Sequence, residues 1–312
     1  MESDSEPPSG LWLPLITPFR DGALDAASLR RLIRHYARQP IDGLILAATT
    51  GEGLALDDGE IEQLAMLTAE TLAEAGRALP VWLGMSGADT RKLVRTLARI
   101  ANWPVDGYLI ACPYYTRPSQ DGLVLHFEAL AEATARPIML YNIPARTCVN
   151  LGNDALLRLA ERPNIVGLKD CCAELRQTND LLRLRPPGFS VLSGEDALFY
   201  GAQVRGCDGA VLASAHLETA AFAAVRQRIL DGDRLGASLE WQRLADLPRL
   251  LFAEPSPAPL KYCLWQQGLI DSPQLRLPMT GVSPALAAAL DARLSAVKTA
   301  TYADRERRLP AG

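Results

Sequence analysis

Lysine is scarce in this chain. Of 312 residues 32 are basic, yet only Lys92, Lys169, Lys261 and Lys298 are lysines, and arginine supplies the rest. GC-rich coding produces such a bias, and it makes each retained lysine informative. Arginine stays protonated in proteins and cannot serve as an amine nucleophile. Histidine is scarcer still: His35, His126 and His216 stand singly, without ligand-type spacing, so a metal centre is not expected. The six cysteines include no CxxC pair. That excludes a disulfide framework and suits a reducing cytoplasm. No apolar run approaches the ~18 residues that span a bilayer. The net charge of -4 is spread over intermixed acids and bases, which argues against nucleic acid or an anionic membrane as a partner. GxGxxG and Walker sequences are missing too. The first ten residues, "MESDSEPPSG", lack a basic and then apolar lead-in, so they are expected to be a disordered leader rather than a signal peptide.

What the chain does have is apolar residues, 48% of the total, in an alternating pattern. Strand-like runs fall at 11–17, 42–48, 80–84, 106–111, 137–142, 165–169, 189–193 and 208–214. Helix-like segments, with apolar residues recurring at three and four, lie between them. Asp-Gly precedes three of the strands, a turn signal. Eight βα units whose strands are apolar on both faces predict a closed parallel barrel with helices outside. A doubly wound open sheet is the competitor, and it usually carries a glycine-rich phosphate loop. The expected layout is the leader at 1–10, the barrel at 11–232, a helical region of three helices at 233–298 and a tail at 299–312.

Function in such a barrel sits at the C-terminal ends of the strands. Those ends carry Thr49-Thr50-Gly51-Glu52, Cys112-Pro113-Tyr114-Tyr115, Tyr141-Asn142 with Arg146 beyond, Lys169, Ser193-Gly194-Glu195, and the run from Val211 to His216. In "IVGLKD" the period of two puts Ile165, Gly167 and Lys169 on one face and Asp170 on the other. An inward Lys169 is partly desolvated and next to arginines. Both lower its pKa and free the amine to attack a carbonyl, as a Schiff base requires. Tyr141, one strand away, can shuttle protons, with Thr49 and Tyr115 completing a relay. The N–H groups of the Thr50-Gly51 turn can hold one carboxylate and Arg146 a second. Each residue alone also has a structural explanation: a snorkelling lysine, a core tyrosine, interface tyrosines, a loop salt bridge, a capped turn. Their gathering at one rim is what those explanations leave unaccounted for.

Those residues lie in stretches that resemble the dihydrodipicolinate synthase / N-acetylneuraminate lyase family of pyruvate-dependent class I aldolases. The stretches are "TTGEG" (49–53), "PYYTRPSQDGLVLHF" (113–127), "YNIPARTCVNL" (141–151), "IVGLKD" (165–170), "LSGEDA" (192–197), "LFAEPSPAPLKYCL" (251–264) and "LRLPMT" (275–280). "YNIPART" is most similar to the synthase branch. The resemblance implies a TIM (β/α)8 barrel with a small C-terminal helical appendage, assembled as a homotetramer, a dimer of dimers. It implies an imine between Lys169 and pyruvate, proton transfer through Tyr141, and a relay of Thr49 and Tyr115. Tyr114 would lie at the tight-dimer interface. Thr50 would hold the pyruvate carboxylate, Arg146 that of a small aldehyde, and Gly194 and Val211 would line the pocket. No cofactor or metal is implied.

The chain departs from the family pattern at several places. Lys92 stands where an acid would bind a lysine effector, and Asp58 and Ile61 replace histidines near that site, so lysine feedback is not expected. Cys171-Cys172 follow the candidate nucleophile where small or hydroxyl residues are common, and His216 replaces a frequent asparagine. Condensation of pyruvate with aspartate semialdehyde is the main reading. A sugar-acid or hydroxy-oxoglutarate aldolase is its neighbour. A serine hydrolase using Ser86 and His216, or an idle barrel, stands further off.

Overall fold

The computed structural model describes residues 7–308, with side chains described through residue 296. Residues 1–6 of the expected leader and 309–312 of the expected tail lie outside these limits, whereas residues 299–308, expected as a tail, continue the last helix. The barrel half begins with β1 (Gly10–Pro14), a hairpin of β2 (Phe19–Arg20) and β3 (Ala23–Leu24), α1 (Ala26–Tyr36), β4 (Gly43–Leu46), α2 (Asp58–Glu74), β5 (Val81–Met85), α3 (Thr90–Arg99), β6 (Gly107–Ala111) and α4 (Gln120–Glu132). It continues with β7 (Ile138–Asn142), α5 (Pro144–Thr147), α6 (Asn153–Leu159), β8 (Ile165–Asp170), α7 (Leu175–Leu184), β9 (Ser190–Ser193), α8 (Phe199–Val204), β10 (Gly209–Val211) and α9 (Thr219–Leu230). The eight long-range strands are parallel and close into a barrel, β1 pairing with both β4 and β10.

Local chemistry explains the boundaries. Asp25, Asp57, Asp89 and Ser119 cap the helices that follow them, and Asp57 with Glu60 forms a reciprocal capping box. The Asp-Gly pairs do more than turn the chain. Asp42 accepts from the Leu11 N–H at 2.6 Å, Asp106 from Val81 at 2.8 Å and Asp208 from Val191 at 2.8 Å. Each aspartate thus ties the foot of its own strand to the neighbouring one. The glycines that follow give room inside: a β-carbon at Gly43 would overlap Trp12, and one at Gly107 would come within 2.6 Å of Trp82. Those two indoles fill the lower barrel, edge to face with centroids 5.6 Å apart.

Two cores result. The larger lies between barrel and helices; the smaller, inside the strands, runs from Trp12 and Trp82 through Leu109, Met139 and Leu192 up to Tyr141 and Cys171. Among the described residues, four helices fill the region after residue 232, where three are expected: α10 (Arg234–Leu244), α11 (Asp246–Leu251), α12 (Ala258–Gln266) and α13 (Pro284–Arg308). The stretch "RLGASLEWQRLADLPRLLF" breaks because Pro248 has no N–H to continue the ladder from α10.

Candidate active site

Lys169 points into the barrel. It pairs in register with Tyr141, is 4% exposed, and holds its Nζ 4.3 Å from the centroid of the Tyr141 ring. Asp170 faces the other way, accepting from the Cys172 N–H at 2.9 Å and the Thr178 hydroxyl at 2.6 Å. Among the described residues Lys169 forms no ion pair. Burial is the main influence on its amine and pulls the pKa below the usual lysine value. Cys171, Asp196 and Glu195 oppose that pull, and Arg146 adds to it. Gly194 makes the seat: a β-carbon there would lie 2.6 Å from Lys169 Cε and overlap Cys171 Sγ. Any larger residue at 194 displaces the lysine stem.

Tyr141 is buried in the wall of a cleft of about 690 Å³ that opens at the strand tops. Burial raises the phenol's pKa well above the ordinary value, and the neighbouring Thr49 hydroxyl, more exposed, opposes that rise. Thr50 is buried behind Thr49. The Glu52 and Gly53 N–H groups bond back to the carbonyls of Thr49 and Ala48, whereas those of Thr50 and Gly51 meet no backbone carbonyl among the described residues. Arg146 stands on α5 at the cleft wall, exposed and without an ion pair among the described residues. Val211 is fully buried in the inner core below the rim. Tyr115 is the outlier. It reaches the cleft edge with φ of 70° and 88% exposure, and does not enter the Thr49–Tyr141 pair.

The structure gives partners to residues that the sequence reading named without a role. Glu52, of the "TTGEG" turn, is ion-paired with Lys261 at 2.6 Å, with side-chain exposures of 3% and 0%. It also accepts from the Arg276 N–H at 3.2 Å, while the Arg276 guanidinium grips Glu60. This network clamps the Thr49–Gly53 turn to the C-terminal region. The rarity of lysine was the available signal for Lys261. Glu195 is half-buried beside Cys171, and burial raises its pKa. Its neighbour Asp196 is spent on the Ser214 N–H, at 2.5 Å. His216 turns away from the cleft, with its ring edge against Tyr36 and Nδ1 on the Ala213 carbonyl at 2.8 Å, so no Ser86–His216 pair forms. No group of three or more metal-ligating side chains occurs among the described residues.

A buried, unpaired amine facing a phenol at the mouth of a parallel barrel defines a lyase of the class I aldolase type. The model of the dihydrodipicolinate synthetase family matches residues 7–297, and the chain belongs to that family. It is 43% identical to 4-hydroxy-tetrahydrodipicolinate synthase 2 of Clostridium acetobutylicum, over 88% of this chain and 95% of that one. It is 37% identical to the 4-hydroxy-tetrahydrodipicolinate synthase of Azoarcus sp., over 87% and 92%. Among solved structures, the dihydrodipicolinate synthase of Aquifex aeolicus superposes with a TM-score of 0.88 at 30% identity, covering 93% of this chain and 98% of that one. The 4-hydroxy-tetrahydrodipicolinate synthase of Methylacidiphilum fumariolicum SolV gives 0.88 at 35% identity, covering 93% and 96%.

Proposed function

We propose that this enzyme condenses pyruvate with aspartate semialdehyde, as the names of its relatives suggest. The observation that carries the reading is Lys169, buried without a counter-ion opposite Tyr141 and below an unpaired Arg146. Lys169 Nζ attacks C2 of pyruvate, water leaves, and an imine forms. Loss of a C3 proton, received by way of Tyr141, gives the enamine. The enamine carbon then bonds the aldehyde carbon, and Tyr141 returns a proton to the new alkoxide. The free N–H groups of Thr50 and Gly51 hold the pyruvate carboxylate. Arg146 pairs with the carboxylate of the aldehyde, and Gly194 leaves room for the Lys169 stem.

Tyr115 completes the relay by reaching a second copy of the chain. The exposed rim of Leu54, Tyr115 and Leu277, 75%, 88% and 83% accessible in one copy, supports a tight dimer, with two dimers forming the tetramer. The six cysteines are free thiols, which supports a cytoplasmic setting.

Borohydride reduction in the presence of pyruvate tests the chemistry. Mass spectrometry is expected to find the adduct on the peptide holding Lys169; full treatment that leaves this peptide unmodified sinks the mechanism. A panel of aldehydes then tests the partner. Aspartate semialdehyde is expected to give the highest kcat/KM, and preference for an uncharged aldehyde would refute the role of Arg146.

A further inference from the structure

The Arg146 guanidinium is exposed and forms no ion pair among the described residues, so its place is set by the backbone that carries it. That backbone is α5, and four residues are too few for a helix to hold itself. The segment 143–149 stands instead as an arch. The Thr147 hydroxyl lies 3.1 Å from the Ile143 carbonyl and 3.0 Å from that of Val149 and can donate to either. Cys148 turns the chain back, in the left-handed region with φ of 61°.

The two feet of the arch are joined by Asn142. It follows Tyr141 on β7 and is fully buried. Its Oδ1 accepts from the Leu151 N–H at 3.1 Å, and its Nδ2 donates to Asn150 Oδ1 at 2.8 Å. A backbone N–H can only donate, so this amide has one orientation. Asn150 passes the contact on: its Nδ2 donates to Gln177 Oε1 of α7 at 2.7 Å, and Gln177 Nε2 donates to the Leu151 carbonyl at 2.8 Å. Three side-chain amides thus close a ring on Leu151, using both of its backbone groups. From α4, Gln120 grips the same foot, donating to the Asn150 carbonyl at 2.8 Å and accepting from the Gly152 N–H at 2.9 Å. Asn142, Asn150 and Gln177 lie outside the lining of the cleft, whereas Arg146, Thr147 and Cys148 belong to it. A satisfied network of this kind selects one conformation, and removing one member strands the others.

We propose that Asn142, Asn150 and Gln177 are positioning residues for Arg146: their ring fixes both ends of the arch, and so the place where the guanidinium meets the carboxylate of the aldehyde. The inference rests on the role given above to Arg146. Two readouts separate it from a general loosening of the fold. Steady-state kinetics give kcat/KM for aspartate semialdehyde. NMR in D2O gives exchange of the pyruvate C3 protons, which needs Lys169 and Tyr141 but no aldehyde. In Asn150→Ala, kcat/KM for the aldehyde is expected to fall roughly tenfold, mainly through KM, while exchange stays within about twofold. Adding Asn150→Ala to Arg146→Ala lowers kcat/KM no further, because the ring acts only through the guanidinium. An unchanged kcat/KM in Asn150→Ala, exchange that falls in step with it, or losses that multiply in the double variant would overturn the proposal. If Asn150→Ala does not fold, Gln177→Ala, which leaves the Asn142–Asn150 bond in place, is expected to lower kcat/KM roughly threefold, and full kcat/KM there overturns the proposal as well. Arg146→Ala separates the two levels. Full kcat/KM for the aldehyde in that variant defeats the underlying reading; a loss there beside an indifferent Asn150→Ala defeats this inference alone.

Discussion

Among the described residues two lysines, Lys169 and Lys261, are buried, and their surroundings differ in one respect. Lys169 lies 4.3 Å from the centroid of Tyr141, and Lys261 lies 4.4 Å from that of Phe19. Burial is the leading cause of a lowered pKa at both, to about 8 at Lys261. Lys261, however, has the Glu52 carboxylate at 2.6 Å, and Lys169 has no ion-pair partner among the described residues. A buried amine with a counter-ion is an anchor. Without one it is held at a cost in stability, which folds tolerate at functional sites, as the proposed role of Lys169 requires.

The same substitution at both positions puts this contrast to its hardest test. Lys169→Met is expected to lower turnover by roughly a thousandfold or more, since no other amine can form the imine. It leaves no buried partner unsatisfied, so urea unfolding should show unchanged or slightly higher stability; a large loss there would make Lys169 an anchor after all. Lys261→Met strands the Glu52 carboxylate and is expected to cost about 3–5 kcal/mol of stability. Adding Glu52→Gln should recover much of that loss, and turnover per folded molecule should stay within roughly tenfold of the parent.

A third buried base sharpens the comparison with a smaller effect. His216 is 1% exposed, its Nε2 has no partner, and burial lowers its pKa to about 4. It is buried by staying neutral. The unfolded chain takes up a proton near pH 6.5 that the native imidazole refuses until about pH 4. Its contribution to stability is therefore complete above pH 6.5 and falls as the pH drops through that window, by about 1.4 kcal/mol per unit, or roughly 3 kcal/mol in all. Denaturant melts at pH 7 and pH 4.5 should show a shallower acid loss in His216→Asn than in the parent; equal losses would mean that the imidazole does not carry this dependence.

Much of the barrel was legible because its strands are apolar runs with polar ends, and period two alone turned Lys169 inward and Asp170 outward. The misses are of other kinds. The hairpin of β2 and β3 has two residues per strand, too few to show a period. The four-residue α5, which carries Arg146, looked like loop for the same reason. The Glu52–Lys261 pair joins residues 209 apart in sequence, and no local spacing announces it. Cys171 comes to lie against Gly194 because β8 and β9 pair side by side. The location of Tyr115 at a strand end was readable, whereas its left-handed backbone and outward ring depend on the loop's path.

Trp12 and Trp82 have a consequence for traffic. They cork the cylinder at the foot of its strands, so small molecules share a single doorway with the rim residues. Lys169 lies buried against the Tyr141 ring, and Arg146 stands exposed at the cleft wall. Under the proposed condensation, whatever bonds to the lysine is expected to enter ahead of the second substrate.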